Sequence, residues 1–181
     1  MFPGRIVILS GSPGVGKSAA AALLAGESPL SRSVHMHTDD FYGFLRKGAS
    51  APHLPQAHEQ NRIVTQSFLA AASCFARGGY DVIVDGVLGP WFLEPWLELA
   101  RSGCEVHYLV LRAGFEETLR RARSRDKLSP QENEAIVRAM WGQFADLGAY
   151  ERHALETGGL TLRQSVSLAA QRIADRSALL L

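Results

Sequence analysis

The segment that most constrains this chain is Gly11-Ser12-Pro13-Gly14-Val15-Gly16-Lys17-Ser18, which follows the apolar run Arg5-Ile6-Val7-Ile8-Leu9-Ser10. It satisfies the spacing G-x-x-x-x-G-K-[ST] in full. The β-branched run before it reads as a buried strand, and the alanine-rich run after it reads as a helix over 16–26, stopped by Gly26. Between them the glycines let backbone N–H groups turn inward into an anion-binding nest. The new helix points its positive end at the same spot. Lys17 adds a formal charge suited to β- and γ-phosphates, and the Ser18 hydroxyl suits Mg²⁺. All eight residues, Gly11, Ser12, Pro13, Gly14, Val15, Gly16, Lys17 and Ser18, are therefore expected to bind nucleotide.

Strand-like and helix-like segments alternate along the rest of the 181 residues. Strands are predicted at 33–37, 82–86 and 105–111, with a fifth near 152–157. A helix over 57–77 carries Val64, Phe68, Ala71, Ala72 and Phe75 on one face. Helical character is also read at 91–102, from Phe115 through Leu119 and Ala122, and from Ser129-Pro130-Gln131-Glu132 onward, where the serine cap and proline mark a start. Thr161 and Gln164 resemble a capping box before a last helix with Leu162, Val166, Ala169 and Ile173 inward. Apolar strands alternating with helices imply one α/β domain over 1–181, its parallel sheet covered on both faces. Ligands of such sheets bind beyond the carboxyl ends of the strands, here just after residues 10, 37, 86 and 111.

Composition narrows the partners. Hydrophobic residues make up 46%, charged residues 20%, and the formal net charge is +1. That balance excludes a disordered chain and argues against a nucleic-acid or anionic-membrane partner. Cys74 and Cys104 are too few for a disulfide framework and read as small buried side chains. No apolar stretch approaches a signal core or a membrane span, so a cytoplasmic location is expected.

Carboxylates then stand where the sheet geometry wants them. His37-Thr38-Asp39-Asp40-Phe41-Tyr42 follows the second strand, and Asp85 ends the third. In phosphoryl transfer, one such acid takes the proton of the attacking hydroxyl and another positions magnesium. The competing reading of Asp39 and Asp40 is an acidic turn. Arg120, Arg121, Arg123 and Arg125 crowd one short segment, expected to act as a lid over about 120–130. Arg121 and Arg125 are i,i+4 and suit phosphate contact, while pairing of Glu116 and Glu117 with Arg120 and Arg121 is the ordinary alternative. No guanine-reading [NT]-K-x-D motif or LSGGQ signature occurs, and the chain is short for a ring-forming ATPase module.

With these residues in view, the chain resembles the small P-loop kinases, the group of chloramphenicol phosphotransferase, gluconate kinase, shikimate kinase and the nucleoside kinases. Thr38-Asp39-Asp40-Phe41-Tyr42 looks like the T-D-G-F or D-x-F-Y stretch of uridine and pantothenate kinases, which points to Asp39 as the base. Val84-Asp85-Gly86 resembles the group's strand-three acid, the Arg121/Arg125 pair its R-x-x-x-R lid, and Glu156-Thr157-Gly158-Gly159 its adenine-bordering loop. The resemblance implies a five-stranded parallel sheet in order 2-3-1-4-5 with helices on both faces. It also implies ATP and Mg²⁺ as cofactors, with Lys17, Asp39, Arg121 and Arg125 catalytic, Thr157 at the nucleotide, and Ser18 and Asp85 at the metal.

The acceptor is not readable by analogy. The glycine-glycine loop of shikimate kinases is replaced by Gly86-Val87-Leu88-Gly89-Pro90-Trp91-Phe92, and the histidine-containing stretch of gluconate kinases is absent. An acceptor region over about 39–62, bordered by 86–96 and 138–150, offers Asp40, Tyr42, Arg62 and Trp91. Those side chains suit a small hydroxylated molecule. Core packing is the ordinary reading of Trp91 and Trp96, and sheet histidines satisfied by neighbours that of His35 and His37. The expectation is an ATP-dependent kinase with an alcohol acceptor, monomeric or homodimeric. The alternatives are a nucleotide-binding regulatory module without transferase activity, or a kinase of a nucleotide-sugar or RNA end.

Overall fold

The structure, a computed structural model, describes residues 2–52, 54–123 and 130–181. Five parallel strands, β1 (Arg5–Ser10), β2 (Ser33–His37), β3 (Asp81–Asp85), β4 (Glu105–Arg112) and β5 (Ala154–Glu156), form one sheet in the order β2-β3-β1-β4-β5. Both order and direction are those implied by the resemblance. β1 lies at the centre, with Ile6 opposite Val82 on one side and Val106 on the other. Its interior, Ile6-Val7-Ile8-Leu9, is apolar on every residue because helices cover both faces, leaving no solvated side to alternate with.

The helices are α1 (Lys17–Gly26), α2 (Thr38–Gly43), α3 (His58–Arg77), α4 (Glu94–Arg101), α5 (Phe115–Arg123), α6 (Pro130–Gln143) and α7 (Leu162–Ala174). Ile6, Ile8, Val82, Val84, Val106 and Val110 pack against Phe68 and Ala72 of α3 and Trp96 of α4. Val7, Leu9, Ile83, Leu109 and Leu111 face Ala20, Ala21 and Leu24 of α1 and Val166, Ala169 and Ile173 of α7. Each fully buried Ile, Leu or Val contributes about 1.5–3 kcal/mol relative to exposure. Thr161 and Gln164 form the capping box read from sequence, each satisfying the other's backbone N–H, and they fix where α7 begins.

Several local expectations need correction. The acidic stretch after β2 is a short helix, α2, with Asp39 and Asp40 in its first turn. Acidic residues there complement the positive helix end, which outweighs their turn preference. The helix read at 91–102 begins at Glu94, preceded by a separate 3-10 turn over Pro90–Phe92. Cys104 is buried, but Cys74 is exposed on the outer face of α3. Phe75 is also largely outside the core, its ring set edge-on against Tyr80. The inward row of α3 is Val64, Phe68, Ala72 and Ala76. Arg125 and the start signal at Ser129 lie outside the described residues, and so does the central part of the lid expected over 120–130.

Candidate active site at the carboxyl ends of the strands

The phosphate loop connects β1 to α1 with three glycines in the left-handed region, Gly11 at φ 136°, Gly14 at 88° and Gly16 at 104°. Two of them also meet backbone closely. A Cβ on Gly11 would come within 2.4 Å of the Leu111 carbonyl oxygen, and one on Gly14 within 2.4 Å of that of Thr118. A side chain is thus excluded twice, by conformation and by space. Lys17 is buried, and its Nζ donates to the carbonyl oxygens of Gly11 at 2.9 Å and Ser12 at 3.0 Å. Its charge is thereby held against the loop. Inward-facing backbone, a helix start and a buried ammonium form a donor set that fits polyphosphate.

Asp85 is the hub of the polar network beside this loop. Its side chain is fully buried at the end of β3. Ser18 Oγ donates to its Oδ2 at 2.6 Å, His35 Nε2 lies 2.6 Å from its Oδ1, and His37 Nδ1 lies 3.0 Å from its Oδ2. Burial alone would raise its pKa, but the hydrogen bonds from His35, His37 and Ser18 outweigh burial and hold it well below the usual carboxylate range. An ionised carboxylate bonded to the hydroxyl of Ser18 is a donor set that fits a hard divalent cation bound largely through water. The sheet histidines are satisfied, as read, and both are satisfied by this one acid.

His37 faces two acids. Its Nε2 lies 3.3 Å from Asp39 Oδ2, opposite the edge that meets Asp85. Hydrogen bonds to Asp39 and then to Asp85 raise its pKa to about 10. Asp39 is 71% exposed on the first turn of α2, and Asp40 beside it is exposed too. Tyr42 is half-buried, and its hydroxyl is pushed up by burial and by the charge of Asp39. Thr38 packs against Gly86, where a Cβ would fall 2.2 Å from Thr38 Oγ1, so α2 and the end of β3 are held together without a side chain between them.

On the α1 and α7 side, a cavity of about 260 Å³ is lined by Val15, Gly16, Leu111, Arg121, Thr157 and Leu160, among others. Arg121 Nη1 donates to the Val15 carbonyl at 3.3 Å, and its Nη2 pairs with Glu117. Glu117 also accepts from the Gly159 backbone N–H at 3.3 Å, joining α5 to the loop after β5. The i,i+4 pair of Glu117 with Arg121 is therefore present, and the same arginine also touches the phosphate loop. Thr157 is buried with its Oγ1 donating to the Arg112 carbonyl at 2.9 Å.

The acceptor candidates are less gathered. Trp91 is 48% exposed, not a core residue; its indole lies over Gly89, with its ring centroid 5.6 Å from that of Phe144. Trp96 is fully buried in the core. Leu88 anchors the loop that carries Trp91, its carbonyl accepting from Ser10 Oγ at 2.8 Å and from Tyr108 OH at 2.7 Å. Arg62 bonds Glu59 and Gln66 along the exposed face of α3. The feature that sequence reading missed is the contact of His37 with both Asp85 and Asp39. The i,i+2 spacing of the histidines was visible, but the register that sets His37 opposite Asp85 was not.

A central parallel sheet with a phosphate loop at its midpoint, and acids at the end of β3 and just after β2, defines a P-loop protein of kinase-like fold. A family model described as an AAA domain matches residues 7–141, well over half the chain, and the chain belongs to that family. A P-loop domain implies nucleotide binding. No curated protein matches the sequence. Solved structures similar to it include the tunicamycin resistance protein of Deinococcus radiodurans, at 19% identity and TM-score 0.68, covering 94% of this chain and 95% of that one. The gluconokinase of Sinorhizobium meliloti 1021 aligns at 17% identity and TM-score 0.64, over 97% and 94%. Shikimate kinase from Bacteroides thetaiotaomicron aligns at 17% and 0.60, over 95% and 97%. These likenesses establish the fold. Among the described residues, no helix is long and apolar enough to cross a membrane.

Proposed function

We propose that the protein is a small-molecule kinase that transfers the γ-phosphoryl group of ATP to an alcohol. The observation that carries this reading is an exposed carboxylate, Asp39, linked through His37 and Asp85 to the phosphate-loop hydroxyl of Ser18. A nucleotide-binding loop alone needs no such acid. In the proposed step the acceptor oxygen attacks the γ-phosphorus and its proton passes to Asp39. The bond from phosphorus to the β–γ bridging oxygen breaks, and ADP leaves. Lys17 and Arg121 offset charge on the phosphoryl oxygens, and the cavity beside Thr157 receives the adenine. Ser18 and Asp85 would hold Mg²⁺, which when bound supplies charge neutralisation at the β- and γ-oxygens.

The test is ATP turnover with Mg²⁺ in the presence of pooled sugars, nucleosides and other hydroxylated small molecules. One pool should stimulate turnover, and Asp39→Asn should reduce that stimulation by roughly 10²–10⁴-fold, the usual worth of a general base, with ATP affinity retained. Tight ATP binding that no pool converts into turnover would replace this reading with a nucleotide-sensing module.

A further inference from the structure

Asp39 presents a positioning problem. It lies on a helix of six residues, too short to be stable by itself, and its side chain is 71% exposed. A general base must lie within hydrogen-bond reach of the hydroxyl it deprotonates, and exposed carboxylates sample several rotamers. His37 supplies a tether. It is the last residue of β2, paired in register with Asp85, so its backbone is fixed by the sheet. One ring edge meets Asp85 Oδ2 at 3.0 Å and the opposite edge meets Asp39 Oδ2 at 3.3 Å.

We infer that His37 is a positioning residue, setting the reach of Asp39 from the phosphate-loop side of the site. The inference rests on the phosphotransfer reading above. Two further observations support it. The oxygen of Asp85 that His37 meets is also the one that accepts from Ser18 at 2.6 Å, so the two contacts share a single atom. The other oxygen is taken by His35 at 2.6 Å, which stops the carboxylate from rotating away. Ser18, Asp85, His37 and Asp39 therefore form one continuous run of polar contacts from α1 to α2. Imidazole suits the third place because it is rigid and presents nitrogen on two separate edges. An asparagine there reaches where Nδ1 reaches, toward Asp85, and a glutamine where Nε2 reaches, toward Asp39.

The test pairs His37→Asn and His37→Gln with Asp39→Asn in the full chain. Three-bond couplings across the Asp39 Cα–Cβ bond read its rotamer whether or not the protein turns over. They should show one rotamer in the wild type, averaging in His37→Asn, and partial restoration in His37→Gln. An averaged wild type, or no change in His37→Asn, overturns the inference. Single-turnover hydrolysis of Mg·ATP, with water as acceptor, supplies the second readout. His37→Asn should slow it on the order of 10–100-fold with the KM for ATP unchanged, the scale of a base misplaced by about an ångström. In the Asp39→Asn background the same change should add nothing, because both substitutions act through one group. Hydrolysis that depends on Asp39 but ignores His37→Asn sinks the inference alone. Hydrolysis indifferent to Asp39→Asn sinks the phosphotransfer reading itself; where water gives no turnover, the acceptor pool that stimulates turnover takes its place in the same comparison.

Discussion

Lys17 keeps its charge inside the protein by donating to two carbonyl oxygens of its own loop. Phosphate oxygens are stronger acceptors than those carbonyls, so the ammonium has a reason to exchange one set for the other. Replacing Lys17 with alanine should weaken ATP binding by roughly 10–100-fold in calorimetry, the worth of a charge-assisted hydrogen bond. His153 poses a separate problem, remote from chemistry. It is fully buried, its Nδ1 faces the Tyr108 carbonyl at 3.0 Å, and its Nε2 accepts from Arg152 Nε at 3.2 Å. Only the neutral ring satisfies both contacts. Burial, followed by the charge of Arg152, pushes its pKa down to about 4. The folded state thus takes up this proton less readily than the unfolded chain, whose histidine titrates near 6.5. Stability from this residue is complete above about pH 6.5 and is lost as pH falls toward 4, by on the order of 2–3 kcal/mol. Chemical denaturation across that window should show the slope, and His153→Asn should flatten it.

Gly14 joins two elements by contact. With φ at 88° and the Thr118 carbonyl 2.4 Å from where a Cβ would stand, it seats the phosphate loop directly on α5. Gly14→Ala should destabilise the fold by about 1–3 kcal/mol, read as a lower denaturation midpoint, and weaken ATP binding as well, since both the loop and α5 must shift. The strand, loop and helix around this glycine were legible in sequence because a long apolar run, a fixed motif and an alanine-rich helix agree with one another. The last helix was legible for a similar reason, its Thr161/Gln164 box having no other common use. α2 was not, since six residues beginning Thr38-Asp39-Asp40 are too few to show a helical period and carry turn-forming side chains. The acids of the candidate site were found from strand ends alone. Their connection through His37 was hidden because it depends on β2 lying beside β3, a neighbour 48 residues away in the chain. Arg62 illustrates the opposite limit: its Glu59 and Gln66 partners at i−3 and i+4 were present in the sequence, and they hold it along the surface of α3.

For the molecule as a whole, bound nucleotide should act as a cross-brace. The phosphate loop touches β4 through Gly11, α5 through Gly14 and β3 through Ser18, so a ligand seated there bears on several elements. Mg·ATP at a hundred times its Kd should add about 2.7 kcal/mol and raise Tm by roughly 5–10 °C, with Lys17→Ala losing about half of that gain or more at the same concentration. Thermal scans with and without nucleotide check it. The placement of β1 at the sheet's centre has a different consequence, in time. Arg5 pairs with Asp81 on one side and Glu105 on the other, so the first strand made waits for partners assembled much later. At ribosomal speeds of about 5–20 residues per second, that wait lasts from several seconds to some twenty. Throughout it the run Ile6-Val7-Ile8-Leu9 has both edges open and no sheet to join. A nascent chain of this design asks for a holding chaperone early in its synthesis, and its refolding from denaturant should be slow and sensitive to protein concentration.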